Sequence, residues 1–250
     1  LYLDGIRDIA QYNRETFNLE QIDILRGSAS MLFGRGSTGG IINQVTKQPF
    51  LVDRYETTFT VGNYEYRRAT ADLNKKVGDD AAIRLNVMKT NSGSFRDGVK
   101  LDRWGVAPSV RWGTGTANEF AVNYFQLGYD DVPDYGVPYL NGSPFPVPVN
   151  RFYGVANADY QRDDTRIGTI TYTHRFNNDT ELRTVLRRAE YARDLWATAP
   201  RLLAGTTSII GTTPVTRQAQ RRAGEENTVT GQTDLATKVT TGFIRHQLLV

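Results

Sequence analysis

The chain has 250 residues, 39% of them hydrophobic and 23% charged, with a formal net charge of +3 and a mean hydropathy of −0.46. No run approaches the roughly 18–20 apolar residues that a membrane-spanning helix needs, and no basic cluster interleaved with aromatics offers a nucleic-acid surface. Cysteine is absent, which removes disulfides, thiolate metal sites and cysteine nucleophiles together.

The first 49 residues have their own texture. Leu1-Tyr2-Leu3-Asp4-Gly5 reads as a strand and turn. Asn18 to Gly27 runs from a polar turn into a short apolar strand, and Ser28 to Gly34 reads as one helical turn ending at glycine. Arg35-Gly36-Ser37-Thr38-Gly39-Gly40 is a glycine turn, Ile41 to Lys47 a β-branched strand, and Pro49 closes the segment. Together these predict a compact α+β element over 1–49.

From about Tyr55 the period becomes two. Phe59 and Val61 oppose Glu56, Thr58 and Thr60; Ile83, Leu85 and Val87 oppose Arg84 and Asn86. Phe120, Val122 and Tyr124 oppose Glu119 and Asn123, and Leu182 and Leu186 oppose Arg183 and Arg187. Arginine set repeatedly between apolar neighbours predicts a sheet that is apolar outside and wet inside, an average that looks soluble even in a membrane barrel. A soluble sandwich shows the same alternation.

The connections separate the two. They fall at Gly62–Glu65, Gly78–Asp80, about Asn91–Lys100, Gly113–Thr116, about Gly128–Thr165, Asn177–Thr180, about Asp194–Asn227 and Thr240–Gly242. Every second one is a tight turn and the others generally lengthen, two of them beyond what compact soluble domains usually carry. Short turns at one end and long loops at the other are the habit of outer-membrane barrels. About nine strands are legible. Pro108 sits inside the strand from Arg103 to Trp112, where it removes a ladder hydrogen bond, so a bulge or an early strand end is expected. The Leu1 start, without an initiator Met or basic leader, and the strand-like stop at Val250 make a piece of a longer protein the expectation.

Leu3-Asp4-Gly5-Ile6-Arg7-Asp8, the run Phe17 to Gly27 and the run Phe33 to Asn43 follow one another in register. In that order they resemble the second half of the plug of TonB-dependent receptors, specifically ferric-siderophore receptors. The loop segment Asp131 to Tyr139 is similar to the catecholate branch. Ser28 stands where that family usually has proline after Arg26-Gly27. The resemblance implies the C-terminal part of a plug over 1–49. Over 50–250 it implies the N-terminal part of a transmembrane antiparallel β-barrel, about nine of roughly 22 strands. It further implies a monomer in the bacterial outer membrane, surrounded by its lipid and importing a ferric siderophore. Transport is energised by the partner TonB through a box not among these residues. Hydroxamate siderophore, haem or cobalamin uptake and a passive porin are the alternatives; a porin has no plug.

Arg26 and Arg35 flank the Ser28–Phe33 turn, and with Gly27 the resemblance gives them a role in locking plug to barrel. Gly34, Gly36, Gly39 and Gly40 permit the plug's tight turns. Gly34 to Gly39 also matches GxGxxG, but a strand follows where a dinucleotide site needs a helix.

His174 and His246 are the only histidines and have no carboxylate pair at ligand spacing, so no directly bound metal or cofactor is expected. Iron arrives inside a chelator, whose aromatic faces and negative charge call for stacking rings and cationic donors. Tyr129, Tyr135, Tyr139 and Arg151 in the first long loop, and Trp196, Arg201 and Arg217 in the second, are the candidate ligand contacts. Self-packing of a large loop is the competing reading for each. Trp104, Trp112 and Trp196 are candidates for interfacial aromatic girdles, Trp112 the best placed and Trp196 equally suited to ligand. No nucleophile elbow or histidine-centred arrangement supports an enzyme.

Overall fold

A computed structural model of the chain describes residues 1–8, 12–27 and 39–250. The expected helical turn at Ser28–Gly34, with Arg35 and Gly36, lies outside them.

Two sheets and one two-stranded hairpin carry the strands of the described residues. The smaller has four strands, β1 (Tyr2–Leu3), β2 (Ile6–Arg7), β3 (Leu19–Arg26) and β4 (Gly40–Thr46), in the order β2-β1-β4-β3. The β1–β4 pairing is parallel, with Tyr2 opposite Asn43, while β3 and β4 pair antiparallel. The larger sheet has nine antiparallel strands in strict chain order. They are β5 (Arg54–Val61), β6 (Arg67–Lys76), β7 (Ala82–Ser92), β8 (Leu101–Trp112), β9 (Asn118–Asp131), β12 (Tyr160–Arg175), β13 (Thr180–Leu202), β14 (Val215–Thr241) and β15 (Ile244–Leu249). A two-stranded hairpin, β10 (Tyr139–Leu140) with β11 (Ser143–Pro144), stands in the loop between β9 and β12. Asn141 and Gly142 both have positive φ there, which the tight Asn-Gly hairpin turn requires.

The large sheet sorts its side chains by the predicted period. Phe59 and Val61 are 80% and 82% exposed on the outer face, while Asp72, Arg84, Arg103 and Arg187 face the small sheet with buried or half-buried side chains. On the outer face near the short-turn end, Trp112 stacks on Phe120 (5.2 Å between ring centroids) and Phe120 on Tyr172 (4.7 Å). Trp104 lies eight residues before Trp112 on the same face of β8, roughly 26 Å along the strand. With the strand tilted by roughly 35–45°, that separation rises about 20 Å, a little less than an apolar band about 25 Å tall. Gly128, opposite Trp104, makes room for the indole: a Cβ there would lie 2.5 Å from its Nε1.

Two sequence expectations are corrected. The long loops are shorter than read, covering 132–159 and 203–214, because β9, β12, β13 and β14 continue well past the apolar band. Beyond the band neither face needs apolar residues, so the alternation that marks a strand fades while the hydrogen-bond ladder goes on. Pro108 neither bulges nor ends β8. The register to β7 is unbroken through Leu85↔Pro108, and the pairing to β9 skips only 107–108 before resuming in the same register at Ser109↔Asn123. The missing donor therefore opens the ladder on one side without kinking the strand.

Candidate functional site

The small sheet and the segment 12–19 dock on the inner face of the large sheet. Apolar contact comes first: Phe17 packs with Met88, Ala107, Leu127 and Tyr129 in one buried cluster, and Leu3 packs with Ile167 and Ala189 in another. Gly105 supplies the slot for Phe17, since a Cβ there would lie 2.6 Å from the ring.

Four polar attachments surround these clusters. Near the long-loop end, Glu15 reaches Arg68 at 3.0 Å and Arg103 at 3.5 Å. Arg103 is held in turn by Asp131 at 2.8 Å and lies over the Tyr129 ring at 4.6 Å. The Tyr129 hydroxyl donates to the Asn13 carbonyl at 2.7 Å. Further down, Asp72 takes Nε and Nη2 of Arg84 at 2.8 and 2.7 Å and Lys47 at 2.9 Å, and Arg84 also donates to the Gln48 carbonyl. On β13, Arg187 donates to Thr169 Oγ1 (3.0 Å), to the Leu3 carbonyl (2.8 Å) and to Asp4 (3.1 Å), while Asp4 accepts the Thr46 N–H at 2.8 Å.

The fourth attachment is a small aromatic–acid cluster. Asp8 accepts hydrogen bonds from Arg14, Tyr12 and Tyr191, and Tyr12 lies 5.4 Å from the Tyr191 ring. Burial, then the neighbouring Asp8 charge, pushes the Tyr12 phenol far above the ordinary tyrosine range. It stays a neutral donor at any physiological pH.

The sequence candidates distribute unevenly over this architecture. Tyr129 is a buried β9 residue against segment 12–19. Tyr135 and Tyr139 are 46% and 71% exposed on the loop 132–159. Arg151 is exposed on the same loop, and its carbonyl accepts from Arg96, which also pairs with Asp134 at 2.6 Å. Those bonds tie the loop 93–100 to the loop 132–159. A second tie is Asp159, 3% exposed, which accepts the Thr198 N–H and hydroxyl from β13.

Trp196, Arg201 and Arg217 are strand residues. Trp196 pairs with Tyr160 and Arg221 on the outer face; Arg201 pairs with Thr216 on the inner face; Arg217, opposite Pro200, is on the outer face. The structure does not bring Arg201 and Arg217 together. Arg26 is exposed at the end of β3 and has no ion pair among the described residues. Gly27 has φ +88° and its N–H meets the Gly39 carbonyl at 3.3 Å. Gly40 has φ +135°, and a Cβ there would lie 2.5 Å from the Leu25 carbonyl oxygen.

The attachments that carry the interface, Asp4–Arg187, Glu15–Arg68–Arg103 and Lys47–Asp72–Arg84, are absent from the sequence candidates. Their signal is present as charge at inward positions of alternating strands, but the partners lie as far as 183 residues apart. Among the described residues no group of three or more His, Asp or Glu side chains could hold a metal ion. The arrangement holds the two sheets together by ion pairs, hydrogen bonds and apolar packing.

No family model matches the chain. Relatives and solved structures do. The catecholate siderophore receptor Fiu of Escherichia coli K12 is 33% identical over 270 residues, covering 99% of this chain and 35% of Fiu. The probable TonB-dependent siderophore receptor PiuA of Acinetobacter baumannii is 32% identical over 259 residues, covering all of this chain and 34% of PiuA. The crystal structure of PiuA superposes with a TM-score of 0.92 over 99% of this chain and 36% of that one at 32% identity. The open form of Fiu gives 0.88 over 99% and 40% at 31% identity. Over nearly its whole length the chain is similar to TonB-dependent siderophore receptors. It spans about a third of the length of the curated relatives it matches.

Proposed function

We propose that the intact receptor imports a ferric siderophore of catecholate type across the bacterial outer membrane. In this reading residues 1–49 are the end of its plug and 50–250 the first part of its barrel, which would stand as a monomer in outer-membrane lipid. The observation that carries the ligand class is the 33% identity to a catecholate siderophore receptor across 99% of this chain. Energy would come from TonB, engaging a box that is not among these residues. The protein would be a receptor and transporter and not an enzyme. Iron would enter as cargo inside the chelator, which would supply the metal's ligands itself.

Tyr135, Tyr139 and Arg151 on the tied loops, and Arg201 on the inner face of β13, are the proposed first contacts. Exposed rings and guanidinium groups suit an anionic aromatic chelate. Arg26, Gly27 and Arg35 remain proposed plug–barrel locking residues, with Gly34, Gly36, Gly39 and Gly40 shaping the plug's turns.

The test is a tryptophan-fluorescence titration of the intact receptor with ferric catecholate and ferric hydroxamate ligands. Tighter binding of the catecholate, weakened by Tyr139→Ala with Arg151→Ala, is the expected result. A hydroxamate preference would overturn the ligand class.

A further inference from the structure

Two cavities lie between the small sheet and the inner face of the large one. The upper holds about 40 Å³ and reaches Tyr12, Glu15 and Ser109; the lower holds about 500 Å³ and runs down to Arg111 and Thr173, beside the short turns. They share five lining residues: Asp4, Thr46, Asn123, Thr169 and Arg187. The partition between them is thus the group that Arg187 organises, through its bonds to Thr169, to the Leu3 carbonyl and to Asp4. It consists of hydrogen bonds and one ion pair; the Phe17 and Leu3 clusters beside it are closed by apolar packing.

We propose that the route of a solute past the plug follows this seam along β8, β9, β12 and β13, and that Asp4–Arg187 is its gate. The inference rests on the import function proposed above. An ion pair can open by exchanging partners with water or with an anionic solute, whereas opening a packed apolar cluster exposes hydrocarbon that nothing compensates. The lower cavity also states what it passes. Threonine hydroxyls of β12 line one side, and three arginines (Arg111, Arg183, Arg187) stand against two carboxylates (Asp4, Glu119). Such a wall suits a hydrogen-bonding solute that is neutral or anionic.

Thiol accessibility in the intact receptor, rendered cysteine-free and held in nanodiscs, tests the gate without any siderophore. Ser109→Cys reports the upper cavity and Thr171→Cys the lower one. With Arg187 in place, a membrane-impermeant sulfonate-bearing methanethiosulfonate is expected to label Thr171→Cys readily and Ser109→Cys slowly. Adding Arg187→Gln is expected to speed labelling of Ser109→Cys by about tenfold or more, since a charge left without its partner destabilises the closed state. Glu15→Gln, which weakens a different plug–barrel attachment, is expected to leave that rate unchanged.

Equal acceleration by Glu15→Gln would reduce the effect to general loosening and overturn the gate. Rapid labelling of Ser109→Cys with Arg187 present, or no acceleration by Arg187→Gln, would do the same. Slow labelling of Thr171→Cys would overturn the lower route. Faster reaction there with a cationic than with the anionic reagent, after correction for their rates with a free thiol, would overturn the solute class. A receptor that binds no ferric ligand but keeps this labelling pattern would contradict the import function alone.

Discussion

Phe17 fills the space that Gly105 leaves empty, so a plug side chain and a barrel backbone meet with no room for a methyl group between them. Gly105→Ala is expected to destabilise the docked segment by about 1–3 kcal/mol through overpacking, and Phe17→Ala by about 3–5 kcal/mol through the cavity it leaves. The two defects concern the same volume, so the double variant should cost clearly less than their sum. Thermal unfolding and limited proteolysis of the intact receptor measure all three; strict additivity would show that the residues do not share that space.

Among the described residues Asp72 is the sole carboxylate taken by both Arg84 and Lys47 at hydrogen-bond distance. Asp72→Asn leaves Arg84, 5% exposed at its side chain, with the Gln48 carbonyl and, as its one carboxylate among the described residues, the more distant Glu20 at 3.5 Å. The expected cost is about 3–5 kcal/mol, that of removing one partner from a buried ion cluster. Replacing Asp53, which pairs with Lys75 in solvent, should change stability little by the same measurement.

The three tryptophans should separate in a quenching experiment. Trp104 and Trp112 share the outer face of β8 at the two edges of the apolar band, so each single-tryptophan receptor should be quenched by lipids carrying a nitroxide. Trp196 lies on β13 beyond the band, beside Arg221 and Tyr160, and should answer to aqueous iodide instead. Lipid quenching of Trp196 would mean that the bilayer sits higher on the strands than the apolar residues indicate.

Pro108→Ala returns an N–H to the one gap in the β8–β9 ladder. A neutral to mildly stabilising effect is expected, up to about 1.5 kcal/mol, with slower amide exchange at Tyr124 and Phe125. Marked destabilisation would show that the ring's packing outweighs the missing bond.

Alkaline pH bears on the Tyr12 cluster. Its phenol is raised in the folded protein. The contribution to docking is therefore complete below the ordinary tyrosine value of about 10 and is lost as pH rises through the folded value. Proteolytic cleavage of segment 12–19 should therefore stay constant up to about pH 10, grow as the pH is raised above it, and grow less in Tyr12→Phe. An equal response in both would place the alkaline sensitivity elsewhere.

Much of this architecture is legible in the residues. Arg84 between Ile83 and Leu85, and Arg187 between Leu186 and Arg188, mark inward positions, and the structure turns both toward the small sheet. Tyr129 shows the limit. Its ring reads as a loop aromatic because the loop boundary depends on an alternation that fades above the bilayer, and its partner at Asn13 is 116 residues away. Arg201 and Arg217 read as residues of one long loop. A continuous ladder between β13 and β14 instead puts them on opposite faces, a difference of pleat that no composition reveals.

The lengths of β13 and β14, 23 and 27 residues, carry a consequence for how such a receptor diversifies. Crossing the bilayer takes only about 9–11 residues, so most of this hairpin is a stiff ribbon standing in the external medium. Its register is fixed by cross-strand bonds, which keep alternate residues on one side however the sequence drifts. A single substitution there changes one tile of a rigid mosaic and leaves its neighbours aimed as before. A binding surface on such a ribbon would therefore be retuned one position at a time, whereas the loop 203–214 at its tip would change shape with each insertion.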